Sequence, residues 1–431
     1  MSESREFFPK VFKARQSFPR PVVTDIPAAI DGELAKIFPS GSLKEGASIG
    51  VTVGSRGITN IAEITRAAID GLKMLGASPF VIPAMGSHGG ARGEAQRELI
   101  AHYGVTEESM GVPIRHDMTT RSLGTTPEGV EAYLAETALD CDGVLLMNRV
   151  KPHTDFKGPI ESGLTKICAI GLGKYDGAQE YHSHIFDLGL GPAIYSATRA
   201  VLETGQILGG LAILENGYHE TARIVGVRHE KLMEEEEVLL KEAYTLMPSL
   251  PLKEIDILIC DRMGKNISGA GMDTNITGRG VHGYYQGVPW QEGMPGIYRI
   301  FVRDLSDESD GNAVGMGMVD FTTKRFAEKI DHKVTAINAV TACTPGNSRL
   351  PIVLDNDEEA IATALKSSPR RKGGTILAYI RDTLELESLY LSEACLPLIR
   401  DRAGIDIETE PQPIRFDTDG NIVSFFTNGN G

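Results

Sequence analysis

Apolar and polar positions follow two different periods along this chain, and their alternation predicts the elements. Residues 49–53 form a short apolar run that reads as a strand, and Gly54-Ser55-Arg56-Gly57 reads as a turn. Ile61, Ile64, Ala68, Leu72 and Leu75 then recur at helical spacing, with Gly76 placed to stop the helix. A second apolar strand over 79–84 runs into Gly86-Ser87-His88-Gly89-Gly90, and a helix is predicted over 92–102. Residues 142–147 repeat the strand pattern, followed by a loop over 148–158 and a glycine-rich stretch over 163–177. A helix over 193–204 and a strand over 208–215 come next. Residues 228–246 read as one long charged helix, with the acidic run 234–237 as a solvated face. Pro248 and Pro251 interrupt the pattern. A second series begins with the strand 255–260, enters a polar glycine-rich loop over 261–283, and continues with apolar runs at 297–302, 334–339 and 375–380 and a helix over 357–366.

Strand–loop–helix alternation predicts α/β architecture with mostly parallel sheets. The expected division is an N-terminal α/β catalytic domain over 1–250 and a C-terminal α/β domain over 251–431 that closes over an active-site cleft between them. In such sheets ligands sit beyond the carboxyl ends of the strands, where the glycine-bearing loops fall.

Composition narrows the function. With 43 Lys and Arg against 58 Asp and Glu, the 431-residue chain carries a net charge of −15, which disfavours nucleic acid as a partner. No stretch reaches the ~20 apolar residues of a membrane span. The five cysteines are scattered and none forms a CxxC pair, and residues 1–21 lack the apolar core of a signal peptide, so a reducing, cytoplasmic setting is expected. Against this acidic background, residues 148–184 concentrate five basic side chains, Arg149, Lys151, Lys157, Lys166 and Lys174, and three of the ten histidines. Local positive charge after a buried strand predicts a small anionic ligand.

His88 and His153 each lie in a strand-end loop among small or turn-forming residues, and both are candidate acid/base groups. Two such imidazoles could serve opposite faces of one substrate carbon. His182 and His184 offer imidazole for nickel, copper or zinc, but no HExxH and no Cys/His cluster accompanies them, so a zinc site made by the protein alone is not expected. In the later loop, Lys265, Asn266, Ser268, Asp273, Asn275 and Arg279 are donors and acceptors of the kind a polyhydroxylated acid needs, with Arg279 a second anion contact. A glycine-rich turn held by its own hydrogen bonds is the plainer alternative for that loop. His282, Tyr284 and Tyr285 are candidates for its rim.

The Ser55-Arg56 turn, the Gly86-Ser87-His88 loop, and His153 followed by Phe156, Gly158, Ser162, Gly163 and Lys166, with His182 sixteen residues beyond that lysine, resemble the nickel-dependent lactate racemase family. Gly54, Gly89 and Gly90 depart from its pattern, so the chain is similar to a divergent homologue. The resemblance covers residues 49–184 and is general beyond them. It implies a nickel-pincer nucleotide attached covalently through Lys166, with Ser162 and Gly163 in the attachment element. It also implies His182 as nickel ligand, His88 and His153 as the acid/base pair, and Ser55 and Arg56 at the substrate carboxylate. The implied activity is an isomerase, a 2-hydroxy-acid racemase or sugar-acid epimerase acting at C2 by proton-coupled hydride transfer. This fits the chemistry of the substrate: an α-hydrogen beside a carboxylate is weakly acidic, and a hydride acceptor removes that difficulty. Two other readings compete. One is a nicotinamide-dependent dehydrogenase, for which no GxGxxG follows a strand with a properly placed acidic residue. The other is a non-catalytic binder of an anionic metabolite.

Overall fold

A computed structural model describes residues 8–55, 57–283, 287–423 and 425–426. The chain divides into two units, one over Pro19–Met247 and the other from Pro248 onward together with the described residues up to Phe18. Both are α/β with mostly parallel sheets. The first described strand, β1 (Val11–Gln16), belongs to the later unit, although the sequence pattern gave no sign of it.

The Pro19–Met247 unit is built on a five-stranded sheet. Its strands are β2 (Ser48–Val53), β3 (Ser78–Pro83), β6 (Gly143–Arg149), β7 (Ile207–Glu215) and β8 (Thr221–Arg228), in the order β3-β2-β6-β7-β8. A separate hairpin pairs β4 (Thr120–Thr125) with β5 (Glu131–Ala135). The first four sheet strands run parallel and β8 returns antiparallel. Strands β2, β3 and β6 are buried almost throughout, which accounts for their unbroken apolar runs. Ile61–Met74 buries Ile61, Ile64, Ala68 and Leu72 on one side and ends at Gly76, whose φ of +84° is the left-handed stop that glycine provides.

Residues 228–246 are not one helix. Arg228 closes strand β8, a short turn spans His229–Lys231, and the helix runs over Leu232–Leu246. The strand escapes a reading by pattern because its burial is irregular and no glycine or proline separates it from the helix. The acidic run on that helix is not uniformly solvated either, since Glu236 is fully buried.

The later unit has an eight-stranded sheet. Its strands are β9 (Glu254–Met263), β10 (Gly296–Leu305), β11 (Phe321–Thr323), β12 (Ile352–Leu354), β13 (Leu377–Ile380), β14 (Ser388–Ser392) and β15 (Ile405–Ile407), joined by β1. The order is β12-β11-β10-β9-β13-β14-β1-β15, parallel from β12 to β13 and antiparallel beyond. Residues 334–339, an apolar run in the sequence, are helical within His332–Thr341, where the Asp331 carboxylate accepts from Lys333 N and Val334 N.

Candidate functional site

Three strand-end loops of the Pro19–Met247 unit meet around one short helical segment. Leu164–Lys166 forms a single α turn that widens into a π turn over Ile167–Gly171, with Leu172 N donating to Ile167 O at 3.0 Å. The tips after β2, β3 and β6 all close on it. A Cβ placed on Gly54 would stand 3.8 Å from Ile167, one on Gly86 would stand 3.0 Å from Ile170, and one on Gly171 would stand 2.8 Å from Ala84 O. The Asn148 side chain donates to Gly163 O at 2.8 Å.

The start of this segment is held by a residue the sequence reading passed over. The buried Glu236 carboxyl accepts from Thr165 N at 2.7 Å and from Thr165 Oγ1 at 2.6 Å, supplying an acceptor at the amide end of the turn. Burial pushes this carboxyl up to about 7, against the bonds from Thr165 and Leu164 that pull it down. A Cβ on Gly163 would lie 2.0 Å from Glu236 Oε1, so only glycine fits beneath the carboxylate. Spacing held the missed signal: Leu232, Glu236, Leu239, Leu240 and Ala243 share the buried face of their helix.

Lys166 leaves this turn half-buried, and its Nζ lies 2.5 Å from His153 Nε2. His153 Nδ1 accepts from Asp155 N at 3.0 Å and from Phe156 N at 3.4 Å, so the proton of the neutral ring sits on Nε2. Phe156 packs against the imidazole with centroids 4.4 Å apart. The buried Glu161 carboxylate accepts from His153 N at 2.6 Å and from Lys157 Nζ at 3.0 Å, while Lys157 also donates to His153 O at 2.8 Å.

His182 lies on the helix Lys174–Ser183 that follows. Its Nδ1 donates to Ala178 O at 2.6 Å, which leaves the lone pair on Nε2, the form a metal ligand needs. Burial lowers its pKa, against the pull of the Ala178 carbonyl, and a charge on Lys166 would lower it further. His184 is differently committed, with Nε2 3.1 Å from Glu180 and Nδ1 3.3 Å from Asp187. Among the described residues no group of three or more His, Cys, Asp or Glu side chains could hold a metal.

Of the remaining expected site residues, His88 is exposed in the loop whose Gly86 abuts Ile170. The Ser55 carbonyl accepts from Tyr103 OH at 2.8 Å, and the Ser162 carbonyl from Lys151 N at 2.9 Å. Arg56, Tyr284 and Tyr285 lie outside the described residues. Arg279, in the other unit, is 1% exposed, and its guanidinium donates to Asp320 at 2.7 Å and to the carbonyls of Met318, Ile297 and Tyr298. That is the bonding of an internal strut. The loop around it also turns its polarity inward, as Lys265 donates to Gly269 O and Asp273 accepts from Asn275 N. The basic segment is likewise partly neutralised within the fold. Arg149 pairs with Glu215, Lys157 with Glu161, and the buried Lys174 donates to Pro83 O at 2.7 Å.

No protein-family model matches the chain, and no curated protein matches it. Among solved structures it is similar to the lactate racemase apoprotein from Thermoanaerobacterium thermosaccharolyticum, at 15% identity over 67% of this chain and 69% of that one, with a TM-score of 0.44. It is also similar to a protein from Thermotoga maritima, at 12% identity over 75% of this chain and 82% of that one, with a TM-score of 0.46.

Proposed function

We propose that the chain is an isomerase that inverts the C2 centre of a 2-hydroxy acid, with a nickel-pincer nucleotide joined to Lys166. The observation that carries this reading is the 2.5 Å approach of Lys166 Nζ to His153 Nε2, on a segment that leads into the helix bearing His182. The donor set fits such a group. An amine is available for a covalent tether, and one neutral imidazole presents its Nε2 lone pair, which suffices when the cofactor brings the other ligands itself. His184, with both nitrogens on carboxylates, is the poorer ligand.

In this reading Lys166 tethers the cofactor beside Ser162 and Gly163, and His182 ligates the nickel. When bound, the cofactor supplies a reversible acceptor for the α-hydrogen. His88 and His153 exchange the substrate's hydroxyl proton, one for each enantiomer. To receive a proton at Nε2, His153 must surrender the one it carries there, which requires the Asp155–Phe156 turn to release Nδ1. Ser55 and Arg56 are assigned to the substrate carboxylate. Arg279 is left out, because its guanidinium is already bonded inside the other unit.

The test uses protein from a host that makes the cofactor. Intact mass and metal analysis should find an adduct localised to Lys166 with one nickel per chain, absent in Lys166→Ala. Lactate, malate and aldonates offered in deuterated water should include one that is inverted. No inversion of any of them by adduct-bearing protein, or no adduct at all, overturns the reading.

A further inference from the structure

We infer that Gln96 is the positioning residue of His88: its buried side-chain amide holds the exposed glycine loop in the conformation that presents the imidazole. Gln96 lies on the helix Gly93–His102, where it and Ile100 form the buried face. It is 0% exposed, and its Nε2 donates to Gly86 O at 2.9 Å and to His88 O at 3.0 Å. An amide NH2 has two N–H bonds, so both are spent on the carbonyls that flank Ser87. The amide oxygen is left over: Oε1 is buried and accepts no hydrogen bond among the described residues. An apolar side chain of similar size would avoid that cost. Packing alone therefore does not account for an amide here, whereas its two donors do.

The loop needs such a hold. Residues 88–90 are exposed, and Gly86, Gly89, Gly90 and Ala91 all have left-handed φ, at +61°, +67°, +64° and +57°. Three of the four are glycines, whose backbone freedom would let an untied tip sample many states. The base of the loop is fixed from elsewhere, by Lys174 Nζ donating to Pro83 O at 2.7 Å and by Ala84 N donating to Val53 O at 2.8 Å. Gln96 ties the tip itself. Gly89 packs on the same helix, since a Cβ there would stand 3.2 Å from Ala95 Cβ and 3.3 Å from Gln96 N. The residue type also suits a histidine that must gain and lose a proton. A lysine or arginine could bond the same carbonyls, but its charge would oppose a second positive charge on the ring, and an ionised glutamate has no N–H to give. The neutral amide holds the backbone and adds no charge beside the imidazole. The inference rests on the function proposed above for the acid/base duty of His88; the hold on the loop stands on the hydrogen bonds.

The experiment compares the full-length parent, Gln96→Leu and Gln96→Glu. Backbone 15N relaxation is measured on cofactor-free protein, and inversion of lactate, malate and aldonates on protein from a host that makes the cofactor. In the parent the amides of residues 87–91 should be as rigid as the sheet, with order parameters of about 0.85, and in Gln96→Leu they should fall below about 0.6. In loaded Gln96→Leu, kcat should fall about tenfold to a hundredfold with KM nearly unchanged, because the substrate keeps its other contacts while the imidazole is misplaced. A merely structural amide would lower the thermal midpoint and leave kcat per folded molecule at the parent's value. Gln96→Glu, which keeps the shape and loses the NH2, is read in the same way if Gln96→Leu does not fold. Parent amides that are already mobile overturn the inference without any variant. So does a loop that stays rigid, or a kcat that stays at the parent's, in a folded variant. A parent that inverts none of the acids refutes the function proposed above, and the loop measurements alone then decide whether Gln96 holds the tip.

Discussion

A carboxylate sealed beneath a helical turn has consequences that can be measured with no ligand at all. Glu236 is fully buried and its carboxyl is pushed up to about 7 by burial, against an ordinary value of 4.5. The folded chain therefore holds this proton more tightly than the unfolded chain. The stabilisation is complete below pH 4.5 and is lost as pH rises through about 7. Glu236→Gln cannot ionise and keeps an oxygen for Thr165 N and Oγ1. It should be more stable than the parent at pH 8 by up to ~3 kcal/mol and have little advantage at pH 4.5, as read by urea denaturation at the two values. Equal differences at both pH values would refute the assignment. Residue types and loop positions singled out His88 and His153 as candidates, and the family resemblance added Lys166 and His182, but neither says how their protons are arranged. Backbone N–H groups of Asp155 and Phe156 set one tautomer and the Ala178 carbonyl sets the other, and neither is written in a side chain.

Close approach governs the element that carries Lys166. The π turn over Ile167–Gly171 passes so near the end of β3 that a Cβ on Gly171 would meet Ala84 O at 2.8 Å and Ile167 Cγ1 at 2.7 Å. Gly171→Ala should lower stability by ~1–3 kcal/mol through overpacking, because the turn must shift to admit the methyl group. A thermal midpoint equal to the parent's would show that the contact is not restraining. Among elements, those with one strong period were legible. Strands β2, β3 and β6 are buried on both faces, and Ile61–Met74 has a single apolar stripe. Strand β8 was not, since it lies at the sheet's edge and enters the next helix through the charged turn His229–Lys231. The helix His332–Thr341 was obscured because most of its apolar residues, among them Val334, Ile337 and Val340, are exposed.

At the scale of the whole chain, the least legible fact is that its first described strand completes the sheet of its last unit. Val11, Phe12 and Ala14 are fully buried in β1, which lies between β14 and β15 and pairs with both. An apolar pattern announces that a strand is buried but does not name a partner so distant in sequence. The Pro19–Met247 unit is therefore inserted between β1 and β9 of the other. The two ends of the insertion lie close on that unit's own side, where Gln16 Nε2 donates to Ser249 O at 3.3 Å. A chain that joins residue 18 directly to residue 248 should consequently fold, with one cooperative unfolding transition. A fragment beginning at residue 248 should not match it, because removing β1 leaves β14 and β15 with unpaired edges. Residues 19–247, which hold three buried apolar clusters of their own, should fold alone. Circular dichroism and urea unfolding of the three pieces decide the matter. If the fragment from 248 onward proves as stable as the joined chain, β1 is dispensable and the insertion is only a matter of connectivity; if residues 19–247 fail to fold alone, their three apolar clusters do not suffice as a core.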